Sequence, residues 1–353
     1  MHLNNMRASN IEFLRIFAII GVFFLHFYNP IIGGAISSCS SPINEFILRV
    51  LECLFVCSVD LFVLISGYFL TQSHKRNYYK PIQLISQVIL FSITYFGLLV
   101  FTSRTEFSVS GLLFAFLPQN WFVILYVVLY LCSPYLNMVI EHLSIKQYRN
   151  FVILLLILFS IYPTLVDVLG QWSSKEIKGM STIGMYGSQY GYSVVQFFIM
   201  YFIGGYLARN PCLCSKRILV CGIVNLSVLV FWSYVDKNAH VEGEPNAYEY
   251  CNPLVIFESV ILLVSFLKIK LRSNCINELS RACFTMYLLH SFAYSFVDIK
   301  TIVNFSPASM LLSIAGLGIV TYLCCYFIYK IYVYLTNPFW KYFKTKWAGE
   351  MIV

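Results

Sequence analysis

The sequence predicts an all-α, polytopic membrane protein of about ten transmembrane helices, with both termini in the cytoplasm. Three observations carry this. Of 353 residues, 59% are hydrophobic and only 11% are charged, where a soluble domain carries about 25%. Mean hydropathy is +0.74, which is more apolar surface than a water-soluble fold can bury. Ten apolar stretches are long enough to cross a bilayer, and cations concentrate in every second connection between them. A soluble enzyme, a nucleic-acid binder and a disordered chain are excluded.

The stretches are 11–31, 45–70, 79–101, 120–140, 150–169, 192–209, 217–235, 253–269, 281–298 and 308–336. Lipid offers the backbone no hydrogen-bond partner, so each must be a helix or part of a closed barrel. No period-2 alternation supports a barrel. Residues 107–117 are apolar but too short to span, and are expected at the membrane surface. The first stretch is read as a retained helix. It has no small-residue cleavage site, and Arg15 and His26 interrupt its apolar run. No repeat is evident, so residues 8–336 form one transmembrane domain and 337–353 a basic cytoplasmic tail.

Sixteen cations lie by the N-terminus and in alternate connections. They are Arg7; Lys75, Arg76 and Lys80; Lys146 and Arg149; Arg209, Lys216 and Arg217; Lys268, Lys270, Arg272 and Arg281; and Lys341, Lys344 and Lys346. The other connections hold five: Arg104, Lys175, Lys178, Lys237 and Lys300. The positive-inside rule places the first set in the cytoplasm. The net charge of +8 therefore records orientation. Seven of the twelve cysteines sit inside apolar stretches as small apolar residues. No C-x-x-C pair or metal-ligand spacing occurs, so no metal is expected. Cys39 and Cys251 both fall in outer loops and are candidates for a disulfide.

Charges inside a span are costly and mark function by default, the plainer reading being a pair that only holds helices together. In the first stretch, Arg15 and His26 are eleven residues apart. Three helical turns bring them onto one face, about 16 Å apart along the axis. Glu12 precedes Arg15 by three residues and can pair with it. His26 would lie deep, and imidazole can both take and give a proton near neutral pH. In the second stretch Arg49 and Asp60 are also eleven apart. If the two helices are antiparallel, Asp60 reaches the depth of Arg15 and forms an ion pair with it, and Arg49 reaches His26. The plainer reading pairs Glu45, Arg49 and Glu52 along their own helix.

After Asp60 the chain runs to Ser66-Gly67-Tyr68-Phe69-Leu70, where the small residues permit close helix approach. Lys75, Arg76 and Lys80 follow just inside the membrane. They suit anionic lipid or the phosphates of an anionic cosubstrate. Trp121 opens the fourth stretch at the outer interface. Ser133-Pro134-Tyr135-Leu136-Asn137 closes it. Glu258 and His290 are further polar groups within spans, each either a catalytic partner or a packing group.

Together these residues resemble the acyltransferase-3 family of bacterial membrane O-acyltransferases. The matching pieces are Glu12-x-x-Arg15 with Arg15-x10-His26; Val59-Asp60-Leu61-Phe62 into Ser66-Gly67-Tyr68-Phe69-Leu70; the basic stretch at 75–80; Trp121-Phe122 with Tyr130 and Pro134-Tyr135-Leu136-Asn137; and Tyr287-Leu288-Leu289-His290. The resemblance implies a ten-helix enzyme of the bacterial inner membrane. It would move an acyl group, commonly acetyl, from cytoplasmic acyl-CoA to a hydroxyl of an envelope saccharide, which a lipid carrier could present. It implies His26 as the catalytic residue with Arg15 as its partner; Asp60, expected to pair with Arg15, is counted as catalytic with them. Glu12, Arg49, Ser66, Gly67, Glu258 and His290 support, Lys75, Arg76 and Lys80 meet acyl-CoA, and Trp121 marks the acceptor side. An Arg-x-x-Arg spacing common in the family is absent here, though its charge is kept. Two other classes stay open: a proton-coupled transporter or flippase of a lipid-linked saccharide, and a non-catalytic subunit of a polysaccharide-assembly complex.

Overall fold

The computed structural model describes residues 8–73, 76–77, 79–173, 175, 177–185, 187–210, 217–238, 246–347 and 351–352. Fifteen α-helices are defined among them: α1 (Ser9–Tyr28), α2 (Pro42–Phe55), α3 (Ser58–Leu70), α4 (Tyr79–Phe101), α5 (Val109–Ala115), α6 (Trp121–His142), α7 (Ile145–Leu156), α8 (Tyr162–Ser173), α9 (Val194–Arg209), α10 (Ile218–Asn238), α11 (Pro253–Leu267), α12 (Asn274–Leu279), α13 (Cys283–Leu289), α14 (Ile299–Val303) and α15 (Pro307–Trp347). Two dipeptides, Arg76–Asn77 and Met351–Ile352, pair as a short antiparallel ribbon.

Helix starts follow local chemistry. Ser41, Ser108, Asn120, Ser144, Ser193, Asn252 and Ser273 each accept a backbone N–H of the first turn that follows. Ser144 and Gln147 close a reciprocal capping box. These oxygens satisfy donors that a helix leaves open at its N-terminus.

Eight helical segments are long and apolar enough to cross a membrane. They include α2 with α3 and α7 with α8, each pair counted as one span. The sequence reading of about ten stretches is refined at two places. Helix α9 has only 16 residues. The stretch 281–298 is not one helix: α13 ends at Leu289 and a 3-10 segment, His290–Phe296, follows. The Tyr294 hydroxyl donates to the Phe23 carbonyl of α1, tying that segment to the bundle. Between α7 and α8 one π-helical turn, Ile157–Ile161, lies two residues before Pro163, whose missing N–H disturbs the helical ladder. The apolar segment at 107–117 stays outside the bundle, with Phe107, Val109, Leu113 and Phe114 exposed.

Helices α1, α3, α9 and α11 are the most enclosed, whereas α4, α10 and α15 present mostly exposed apolar faces. One buried cluster joins α1, α3, α9 and α11, and a second joins α1 and α2 to α13 and α15. Helix α1 belongs to both. The α3–α9 crossing is unusually close: a Cβ on Gly67 would sit 2.5 Å from the Tyr201 carbonyl oxygen, and one on Gly204 2.4 Å from that of Leu64. Small residues let the backbones meet, as the Ser-Gly step suggested.

Candidate active site

His26 lies two residues before the end of α1. Its Nδ1 is 2.5 Å from Nε2 of His290, and the two rings are 14° from parallel. The His290 Nδ1 lies 3.0 Å from the Met286 carbonyl oxygen. A carbonyl only accepts, so in a neutral ring the His290 Nδ1 carries the hydrogen and its Nε2 is bare. The His26 Nδ1–H must then donate to that bare nitrogen. This leaves the lone pair on His26 Nε2, the arrangement of a general base held by a partner. Phe23 and Tyr294 flank the His290 ring.

His26 also lines a half-open cavity of about 660 Å³. Its wall includes Tyr28, Arg49, Glu52, Tyr192, Asp236, Lys237, Tyr248 and Tyr250. These come from the C-terminal ends of α1 and α10, from α2, and from the segments leading into α9 and α11. The same end of the bundle thus gathers a base, two carboxylates, two cations and four phenols. Arg49 and His26 both line this cavity, but the side-chain partners of Arg49 are Glu45, Tyr248 and the Ser233 carbonyl. Of the alternative pairing along α2, the Glu45–Arg49 pair forms: Arg49 Nε is 2.9 Å from Glu45 Oε1. Lys237 binds the same carboxylate at 2.6 Å.

Glu12 and Arg15 pair at 2.8 Å, as their spacing predicted. The expected Arg15–Asp60 pair does not form. Asp60 is buried and accepts from Gln196 Nε2 at 3.1 and 3.2 Å. The helix register explains this. Between α2 and α3 the chain makes a two-residue turn at Val56 and Cys57, and Ser58 packs directly on Gly21. From that level Asp60 is about 3 Å along its helix and Arg15 about 9 Å along α1. Gln196 Nε2 also donates to the Tyr250 carbonyl at 2.9 Å. Asp60 therefore braces the cavity wall at Tyr250 and does not line the cavity.

At the opposite end of the bundle lies a buried polar brace. Arg76 is 2% exposed. It donates to the carbonyls of Leu70 and Ser73 and to Ser133 Oγ, each at 2.7 Å. A guanidinium at the C-terminus of α3 satisfies carbonyls that the helix leaves open. Ser133 Oγ in turn donates to the Tyr130 carbonyl at 2.7 Å, the oxygen that Pro134 cannot bond because it has no N–H. Asn137 donates to Leu70 O at 3.0 Å and accepts from the Tyr201 hydroxyl at 2.6 Å. Arg76 is thus built into the fold rather than presented at the surface. Lys80 is exposed at the start of α4. Lys75 lies outside the described residues.

The remaining candidates have plain positions. Ser66 Oγ donates to the Phe62 carbonyl at 2.8 Å and meets the Tyr126 hydroxyl at 3.2 Å. Glu258 accepts from Asn225 at 2.7 Å, clamping α11 to α10. Trp121 stacks on Tyr250, 6.2 Å between ring centroids, and stands behind the cavity wall. Cys39 and Cys251 are both free and face different partners, so the candidate disulfide is not formed. Among the described residues no cluster with metal-ligand character occurs.

Sequence reasoning did not single out Tyr28, Asp236, Gln196, Tyr192, Tyr248 or Tyr250. Asp236 could have been noticed as an acid at the very end of an apolar stretch. The tyrosines gave no such signal among 26 of their kind.

The family model described as an acyltransferase domain, that of the acyltransferase-3 family, matches residues 9–330. No curated protein and no solved structure matches the chain. The matched region contains the paired histidines, the Arg15–Glu12 pair, the Arg76 brace and every residue of the cavity wall. This chain belongs to the acyltransferase-3 family and is a multi-pass membrane acyltransferase.

Proposed function

We propose that the protein is an O-acyltransferase that moves an acetyl group from acetyl-CoA in the cytoplasm to a hydroxyl of a bacterial envelope saccharide. The observation that carries this reading is the hydrogen-bond chain from the Met286 carbonyl through His290 to His26. It leaves a basic nitrogen on His26 beside the cavity. The site of action is the inner membrane, with both termini cytoplasmic. Counting the shorter α9 and the broken segment after Ala282 with the eight long helices gives an even number of crossings, which supports this orientation together with the cation distribution. On this topology the cavity opens outward, toward the acceptor.

The chemistry follows from the groups present. His26 Nε2 removes the proton from the acceptor hydroxyl as the oxygen attacks the thioester carbonyl carbon. The C–O bond forms, the tetrahedral adduct collapses and the C–S bond breaks. The proton on His26 passes to the departing sulfur, giving the ester and free thiol. Catalysis here rests on holding two substrates in one geometry and on a base of fixed tautomer. His290 acts through His26 as a positioning residue. Arg15 keeps Glu12 and the entrance of α1 in place. Lys80, with Lys75, serves the CoA phosphates as point charges, while Arg76 secures the helix end beside them.

The test is transfer of label from acetyl-CoA to envelope glycan by protein in nanodiscs. His26→Ala should abolish transfer while the protein stays folded. Unchanged transfer in that variant would remove the role of His26. Saccharide movement without any acetylation would favour the flippase.

A further inference from the structure

Helix α15 has 41 residues, about 61 Å of helix against a hydrocarbon core of about 30 Å, so its last turns stand beyond the core. It runs antiparallel to α4, and two contacts fix the register. The Phe91 and Tyr332 rings meet with centroids 5.6 Å apart. Twelve residues before Phe91 and twelve after Tyr332, the Lys344 Nζ lies 5.9 Å from the centre of the Tyr79 ring. Each step covers about 18 Å of helix. The chain then returns to the same place, where Met351–Ile352 pair with Arg76–Asn77. The family match ends at residue 330, so this extension lies outside it.

The extension adds a cation to a basic corner. Lys80 and Lys344 are both exposed, and Lys80 is near enough to Arg76 and Lys344 to be repelled by both. Elsewhere Arg15, Arg49, Lys237, Arg281 and Lys330 each sit on a glutamate, but among the described residues neither Lys80 nor Lys344 forms an ion pair. Like charges gathered by a fold repel, and a bound anion of several charges offsets that repulsion. Ammonium groups on flexible stems meet phosphates as point charges. The position favours a soluble anion over a lipid headgroup. Lys344 is 37 residues along α15 from Pro307, about 55 Å, which exceeds the 40–45 Å or so of a bilayer with its headgroups.

We propose that Lys344, from the end of α15, joins Lys80 to hold the phosphates of acyl-CoA, so that a segment outside the matched domain completes the donor site. The proposal rests on the acyltransferase reading for the identity of the phosphate-bearing donor.

The experiment uses the full-length protein in nanodiscs of phosphatidylcholine, a lipid of no net charge, and follows binding of CoA by titration calorimetry. Lys344→Glu should weaken CoA about tenfold. Lys344→Arg keeps the charge and should stay within about twofold of the parent. Lys300→Glu makes the same change of charge at α14 and should leave CoA binding and melting temperature as they were. Unchanged CoA affinity in Lys344→Glu would overturn the proposal, as would an equal loss in Lys300→Glu. A second arm adds phosphatidylglycerol to the discs and counts bound lipid by native mass spectrometry. Loss of that lipid in Lys344→Glu with CoA binding intact would make a headgroup the ligand and remove the donor role. CoA binding that depends on Lys344, in a protein that transfers no acetyl group, would support the proposal and fail the acyltransferase reading. Acetyl transfer with an acetyl-CoA KM unmoved by Lys344→Glu would do the reverse.

Discussion

His26 and His290, 264 positions apart in the chain, meet through one hydrogen bond of 2.5 Å between Nδ1 and Nε2. The bond decides a chemical question that neither residue decides alone. Met286 fixes the hydrogen on His290 Nδ1, His290 fixes the hydrogen on His26 Nδ1, and the free lone pair falls on His26 Nε2.

His290 should therefore control turnover without touching substrate. Replacing it with Leu leaves His26 free to adopt either tautomer. We expect kcat to fall by about a hundredfold with acetyl-CoA KM little changed, by comparison with a general base's contribution of 10²–10⁴. His290→Gln, whose amide oxygen can accept from Nδ1, should recover part of the loss. Steady-state kinetics of the two variants make the check; equal losses would show that acceptance at that position is not what matters.

Arg76 offers a different signature. Arg76→Ala removes three hydrogen bonds of 2.7 Å, to the Leu70 and Ser73 carbonyls and to Ser133 Oγ, and leaves only the longer bonds from Asn137 on the two carbonyls. A hydrogen bond to a charged group contributes about 1.5–3 kcal/mol. A melting temperature well below that of the parent is expected, with Arg76→Lys intermediate because one ammonium cannot replace the guanidinium fork. Were Arg76 chiefly a phosphate contact, the loss would appear in acetyl-CoA KM with stability kept.

The α3–α9 crossing makes the third prediction. Gly67→Ala places a methyl group 2.5 Å from the Tyr201 carbonyl oxygen, where backbone cannot yield. Overpacking of this kind costs typically 1–3 kcal/mol. Gly97→Ala is the control, since a Cβ there meets nothing within 4 Å. Thermal unfolding in one detergent should separate the two clearly.

A double-mutant cycle can test which partner Asp60 has. Asp60 and Gln196 share two hydrogen bonds of 3.1 and 3.2 Å, so Asp60→Asn and Gln196→Ala should be coupled by about 0.5–3 kcal/mol. Asp60→Asn with Arg15→Gln should add within about 0.5 kcal/mol. Strong coupling in the second cycle would restore the ion pair that the register excludes.

Much of this protein was legible in its sequence because membrane physics acts locally. A long run of apolar residues is driven toward helix, since lipid satisfies no backbone group, although the stretch 281–298 breaks after Leu289 where it is buried in the bundle. Glu12 and Arg15 pair because three residues on a helix bring them together. Close approach at Gly67 was visible for a similar reason. The Arg15–Asp60 expectation failed on the level at which Ser58 meets Gly21. Helical spacing carries phase along one unbroken helix and says nothing of the register between two.

By itself the sequence determined the membrane class, the α-helical secondary structure, the lone charges of the first two spans and the family. The tertiary structure alone decided that His290, not Arg15 or Asp60, partners His26. It also turned Arg76 into a helix cap, and assembled Tyr28, Asp236 and Tyr250 into one wall. The reason is one of range. Hydrophobicity and capping act over a few residues, whereas a tautomer, a buried cap and a cavity wall depend on which atoms distant segments bring within hydrogen-bond reach.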